Sequence, residues 1–212
     1  MSSSAKRKIV VWVLVGLWGA YFFWPEPSVR HGPGVLVPDA PGQSGPSNPL
    51  PWTVDSYKLK SLADLSLTAR VLSKARYYVG RETDLSRYDL ALGWGPMSDE
   101  AVLDRITISQ SSRWYRWRYR NPPPISQGQI IRHSGNFHII AATDQILAKV
   151  KKLRRGDLVR MEGRLVHVSA ADGWRWKSSV SRTDTGARSC ELMWVEALSV
   201  VNPPGRGRAG GG

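Results

Sequence analysis

Residues Ile9 to Trp24, IVVWVLVGLWGAYFFW, run for sixteen positions without a charge, and no stretch of the chain restricts its fold more. As a helix rising about 1.5 Å per residue the run spans roughly 24 Å, against a bilayer hydrocarbon core of about 30 Å. Trp18, Tyr21 and Trp24 extend the fit, because indole and phenol rings settle at the headgroup level. Lys6, Arg7 and Lys8 precede the run, and the next basic residue is Arg30. The positive-inside rule then keeps residues 1–8 in the cytoplasm, makes 9–24 a transmembrane anchor and carries the rest across the membrane. A cleaved signal peptide is the alternative. It wants small residues two positions apart before the cut, and cutting after Ala20 puts Trp18 where a small residue belongs. A buried core helix is the third reading.

Residues 25–51 hold eight of the fourteen prolines and several Gly and Ser, a composition expected to give a stiff spacer that buries little. Val35 to Val37 is its one apolar patch, and His31 stands alone in it. PPGRGRAGGG, residues 203–212, reads as a disordered tail. Between them, residues 52–202 are long enough for one domain with its own core. The chain carries a net charge of +13, and residues 52–202 contain 24 Lys and Arg against 15 Asp and Glu. That balance favours anionic partners: nucleic acid, lipid headgroups, anionic polymers. The single cysteine, Cys190, rules out an internal disulfide and reads as a buried structural thiol.

Within the domain, Leu65, Leu67, Ala69 and Val71 alternate with polar residues, the period of a half-buried strand; a helix over Leu62 to Val79 is the alternative. Residues 80–100 read as a long excursion with one short helical turn. Ile106, Ile108, Gln110, Ser112 and Trp114 alternate again, and one strand is expected to run on to Arg118, ended by Asn121 to Pro124. Asn136 to Ala141 is a third strand. Thr143 can cap a helix through Leu153, with Ile146, Leu147 and Val150 on one face and lysines on the other. Leu158 to Val168 is a fourth strand, where Gly163 marks a bulge or bend. Trp174 to Val180 and Cys190 to Val201 are the last strands. The expected class is therefore mainly β: an OB-like five-stranded barrel with one helix between strands three and four, preceded by the transmembrane helix.

DLALGWGPMSD (Asp89 to Asp99), ISQSSRWYRWR (Ile108 to Arg118), HSGNFHII (His133 to Ile140), GWRW (Gly173 to Trp176) and TGARSCELMWVE (Thr185 to Glu196) are similar to segments of a group of uncharacterised membrane-anchored bacterial envelope proteins. The resemblance covers about two thirds of the chain. It implies a bacterial envelope location and brings no activity, ligand or catalytic residue with it.

Four constellations could carry chemistry. In RWYRWRYR (Arg113 to Arg120), a strand places Trp114, Arg116 and Arg118 on one face and Tyr115, Trp117 and Tyr119 on the other. Trp174, Arg175, Trp176 and Lys177 repeat the theme. Such interleaving serves single-strand nucleic-acid or sugar stacking, or else a Trp-rich core with Arg laid over indole faces. His133, His138 and His167 offer a weak metal alternative, though a spacing of five puts the first two on opposite strand faces. Ser134, Ser178, Ser179, Asp184 and Cys190 lack a nucleophile motif, and Asp89, Asp99 and Glu100 lack a pattern that pairs them. Asp99 and Glu100 read instead as a local cap. GWGPMSD reads as a rigid loop that buries Trp94.

The sequence thus leads to a non-enzymatic binding or assembly module of the bacterial cell envelope. It is a single-pass inner-membrane protein with its C-terminal domain in the periplasm. Its binding residues are Trp114, Arg116, Arg118, Trp174, Arg175 and Trp176, with no cofactor and no catalytic residue. Its partners are the inner membrane and an envelope protein or anionic polymer. A metal-assisted or metal-free envelope-polymer hydrolase and a single-stranded nucleic-acid binder in DNA transfer or uptake are the alternatives.

Overall fold

The computed structural model describes residues 28–181 and 190–203, together with Trp12. The remainder of the 9–24 run, the basic residues before it, Asp184 and residues 204–212 lie outside the described residues. Among those described, no helix is long and apolar enough to cross a membrane.

The fold is mainly β and is built on β3 (Tyr57–Arg76), a strand of 20 residues. It is long enough to serve different neighbours on its two edges. Arg70 to Arg76 pair with β4 (Tyr88–Gly93), while Tyr57 to Arg70 pair along the other edge with β8 (Leu158–Ala170). β4 pairs with β7 (Ser134–Ala141), β7 runs parallel to β10 (Glu191–Val201), and β10 returns antiparallel to β8. The five strands close a ring in the order β3-β4-β7-β10-β8. One helix, α2 (Asp144–Lys152), lies between the third and fourth ring strands, capped by the Thr143 side chain accepting from the Ile146 N–H. Ile146 and Val150 face the core, as their spacing predicts.

Curvature comes from breaks in register. β3 shifts against β8 between Ser61 and Ala63, and against β4 between Val71 and Ser73. The bulge expected at Gly163 lies on the strand opposite, between Val195 and Ala197. Gly163 is required for a different reason: a Cβ there would sit 2.0 Å from the Trp194 carbonyl oxygen. The main core includes Leu65, Leu67, Leu90, Phe137, Met161, Leu165 and Met193.

Three expectations are corrected. The 80–100 excursion contains β4, a ring strand. All six of its residues are buried, so it shows no alternation for a period-two reading to find. The single strand to Arg118 is a hairpin, β5 (Ile106–Ser111) and β6 (Trp114–Tyr119), forming a separate two-stranded sheet. Its turn holds Ser112 at φ 51° and Arg113 at φ 67°. Two left-handed central residues match the twist of a tight hairpin, but the usual Asn-Gly signal is missing. Finally, residues 28–51 are not a free spacer. Val37 is 3% exposed within the main core, and Gly42–Ser44 (β1) pairs with β3. The Leu36 and Val37 N–H groups donate to Ser98 Oγ, and Gly95 N–H donates to the Val37 carbonyl. Burying one Val stabilises by about 2 kcal/mol, and these backbone bonds offset the ordering cost that the composition suggested would prevail.

Beyond the ring, the N-terminal end of β3 and the C-terminal end of β8 pair instead with β2 (Trp52–Val54) and β9 (Arg175–Lys177). This four-stranded extension packs Tyr57, Leu59, Val166 and Val168 against Ile140 and Leu192 on one face.

Candidate anion-binding surfaces

The β5–β6 hairpin lies over β4 and β7. Tyr115, Trp117 and Tyr119 are half-buried against Leu72, Ala91, Met97, Leu103, Ile106 and Ile130. The Tyr115 hydroxyl donates to Ser134 Oγ, and burial pushes its pKa up to about 12. Trp117 and Tyr119 stack at 5.8 Å. The turn is held by Arg113, which reaches into the barrel wall. Its Nη1 is 2.8 Å from Asp89 Oδ1, its Nη2 donates to the Ser86 carbonyl, and its guanidinium lies 4.2 Å over the Tyr77 ring. Asp89 is fully buried on β4, and its other oxygen is 3.0 Å from His138 Nδ1 on β7, the residue opposite in register. A left-handed Arg costs about 1–3 kcal/mol, which these contacts offset.

With the odd positions of β6 turned inward, Trp114, Arg116 and Arg118 are exposed. Their cross-strand partners are Ser111, Ser109 and Thr107, and neither strand contains an Asp or Glu. Arg116 donates to Ser111 Oγ at 2.6 Å. The stripe continues into a groove of about 450 Å³ lined by Asp104, Arg105, Thr107, Arg118, Tyr119, Arg120 and Asn121. Asp104 is the one acid there, and Arg30 holds both of its oxygens, at 2.8 and 3.0 Å. The adjoining cleft, about 350 Å³, is lined by Ser28, Val29, Arg30, Arg70, Glu100 and Arg155, with Asp104 and Thr107 shared. Burial alone would raise the Glu100 pKa. Hydrogen bonds from Arg70 and from the His31 N–H outweigh it and hold the carboxyl below its ordinary value.

The second aromatic-basic run divides. Trp174 and Trp176 are half-buried in a row Tyr57–Trp174–Trp176–His138, with centroids 5.5, 6.2 and 5.1 Å apart. Arg81 lies over Trp174 and Arg113 over Trp176. Both indoles pack, partly buried, against the cluster of Tyr57, Leu59, Val166 and Val168. Arg175 and Lys177 project outward, on the free face of the four-stranded extension. There the register sets Lys60, His167 and Lys177 side by side, and Lys58, Ser169 and Arg175 in the next row. Burial, then Arg175, Lys177 and Lys60, push the His167 pKa down. Sequence reasoning missed Lys58 and Lys60, although their alternation with Leu59 was the available signal. It also missed Arg105 and Arg120, which only the hairpin brings beside Arg118.

The remaining candidates disperse. His133 Nδ1 is 2.8 Å from the Gln129 carbonyl, His138 faces Asp89, and His167 sits on β8 among lysines. Among the described residues no three His, Cys, Asp or Glu could hold a metal ion together. Cys190 contacts the Arg113 carbonyl and the Asn136 amide, and burial pushes its thiol up to about 11, so it stays protonated at neutral pH. Ser178 donates to the Ser179 carbonyl and Ser134 to the Ile130 carbonyl. Asp99 caps α1 (Glu100–Leu103) through the Ala101 N–H, and Trp94 is buried, as expected of both. No family model, curated protein or solved structure matches this chain.

Proposed function

We propose that this chain is a single-pass inner-membrane protein of the bacterial envelope. Its periplasmic OB-type barrel serves as a non-enzymatic binding or assembly module, and the outer face of its hairpin takes an anionic partner. The observation that carries the reading is the hairpin itself. Trp114, Arg116 and Arg118 are exposed on a sheet without carboxylates, while the alternate aromatics are spent on packing. The ring order, the parallel pairing of third and fifth ring strands and the helix between third and fourth support the OB-type assignment. OB barrels bind many ligands, so the fold does not choose the partner. In oligonucleotide-binding OB folds the second and third strands form the binding face; here the hairpin covers them, which favours a partner on the hairpin's outside. The anchor rests on the uncharged 9–24 run and its basic flank.

The test pairs topology with charge reversal. A reporter active only in the periplasm, fused after Gly212, is expected to be active, and the chain to stay with membranes in carbonate. Arg116→Glu with Arg118→Glu is expected to remove crosslinking to the partner in cells while leaving the melting temperature nearly unchanged. Undiminished crosslinking would reject the hairpin face.

A further inference from the structure

The docking of residues 28–51 fixes which end of the barrel meets the membrane. The Val29 N–H donates to the Arg155 carbonyl at 2.8 Å, and Gly156, at φ 94°, lets the chain pass so closely that a Cβ would sit 1.9 Å from the Val29 carbonyl oxygen. Arg30 grips Asp104 beside it. If the anchor ends at Trp24, only Pro25, Glu26 and Pro27 separate it from Ser28. An extended chain covers at most about 3.6 Å per residue, so Ser28 stays within about 14 Å of the anchor's end. A domain of this size has a radius of gyration of about 15 Å. The tether is therefore too short for the far side of the barrel to turn toward the bilayer.

The end that Ser28 holds there is strongly basic. Arg105, Arg118, Arg120 and Arg155 line the groove and the cleft. Among the described residues none of the four forms an ion pair with a carboxylate, because Glu100 and Asp104 are already held by Arg70 and Arg30. The Arg116 and Trp114 side chains continue the same face. A sheet face carrying guanidinium groups and an indole, placed at headgroup depth, is matched to anionic lipid in both charge and amphipathic character. The other basic face lies elsewhere: Lys58 is twelve residues from Arg70 along β3, about 40 Å of strand.

We propose that the groove of Arg105, Arg118 and Arg120, with the hairpin stripe of Arg116 and Trp114, rests on the anionic phospholipid headgroups of the leaflet from which the anchor emerges. The inference rests on the anchored reading above and names the anionic partner of that same hairpin face. It turns the face into a docking surface that sets the barrel's orientation on the membrane. The Lys58, Lys60, Arg175 and Lys177 face is left pointing away from the lipid.

The test uses the full chain carrying a benzophenone amino acid at Ser109, on the hairpin face, or at Thr53, beside Lys58. It is reconstituted into vesicles of phosphatidylcholine, with or without about a third phosphatidylglycerol. After irradiation, phospholipid adducts are counted by mass. Adducts are expected at position 109 and not at 53, to rise with phosphatidylglycerol, and to fall at least about fivefold in Arg118→Glu with Arg120→Glu. A chain that floats with the vesicles but gives no adduct at 109 overturns the inference and leaves the anchor standing. Equal adducts at both positions, or a yield at 109 indifferent to lipid charge and to the reversal, also overturns it. A chain recovered free of the vesicles overturns the anchor, and the inference with it.

Discussion

Arg113 is the residue on which the hairpin's placement turns. Its partner Asp89 is fully buried, and removing one member of such a pair leaves the other desolvated and unmatched. Asp89→Ala is expected to cost about 3 kcal/mol in urea denaturation and to lower amide-exchange protection across residues 106–119 before the ring strands lose theirs. Loss of protection everywhere at once would show that the pair holds the barrel, not the hairpin. His167 makes a second residue-scale case. Its folded pKa is depressed, so the unfolded chain takes up a proton more readily. Stability is therefore full above the unfolded value of about 6.5 and declines as pH falls through it. The melting temperature is expected to fall between pH 7.5 and 5.5, and to fall less in His167→Gln. Glu100 acts lower. Its depressed folded pKa gives stability that is present above its ordinary value and lost as pH drops through the folded one, so its contribution separates from that of His167.

Among the elements, the hairpin and the docked N-terminal segment have the largest consequences. Trp117→Ala, on the packed face of β6, is expected to cost about 2 kcal/mol, since the indole is half-buried rather than enclosed. Gly156→Ala is expected to undock residues 28–37, because the left-handed backbone and the Val29 carbonyl both oppose a Cβ. Limited proteolysis would then cut that segment in the variant and spare it in the parent; equal resistance would mean that the segment is held by Val37 and β1 alone. These elements also mark where the sequence was legible. The period-two runs and the Thr143 cap revealed β3, β8 and α2, the parts whose one-sided burial writes a pattern into the chain, while β7 and β10 were read from short apolar runs. β4 was illegible because burial on both faces erases alternation. The β5–β6 turn was illegible because a Ser-Arg pair there is stabilised by Asp89, a partner 24 residues away. Residues 28–51 read as a spacer because composition records few apolar residues and cannot record that Val37 finds a core to enter. At the site, the exposed Trp114, Arg116 and Arg118 face was legible from alternation. Which reading holds for Trp174 and Trp176 was not, since a strand as short as β9 gives no period long enough to tell its two faces apart.

The whole molecule is a barrel with two basic ends joined by β3, of which one is set beside residues 28–37 and carries the hairpin. The proposal central to it is that the hairpin's arginine face, rather than net charge at large, recognises the anionic partner. The direct measurement is affinity for a simple polyanion, dextran sulfate, using the full chain in neutral detergent micelles. Three proteins are compared at several salt concentrations: the parent, Arg116→Glu with Arg118→Glu, and Lys58→Glu with Lys60→Glu. Each pair reverses the same charge on an exposed strand, where substitution costs less than about 0.5 kcal/mol of stability, so the net charge change is matched and the fold is kept. The account predicts that the hairpin pair lowers affinity at least about tenfold and flattens its salt dependence, while the Lys58 and Lys60 pair stays within about twofold of the parent. Equal losses from the two pairs, or a loss confined to Lys58 and Lys60, would contradict it.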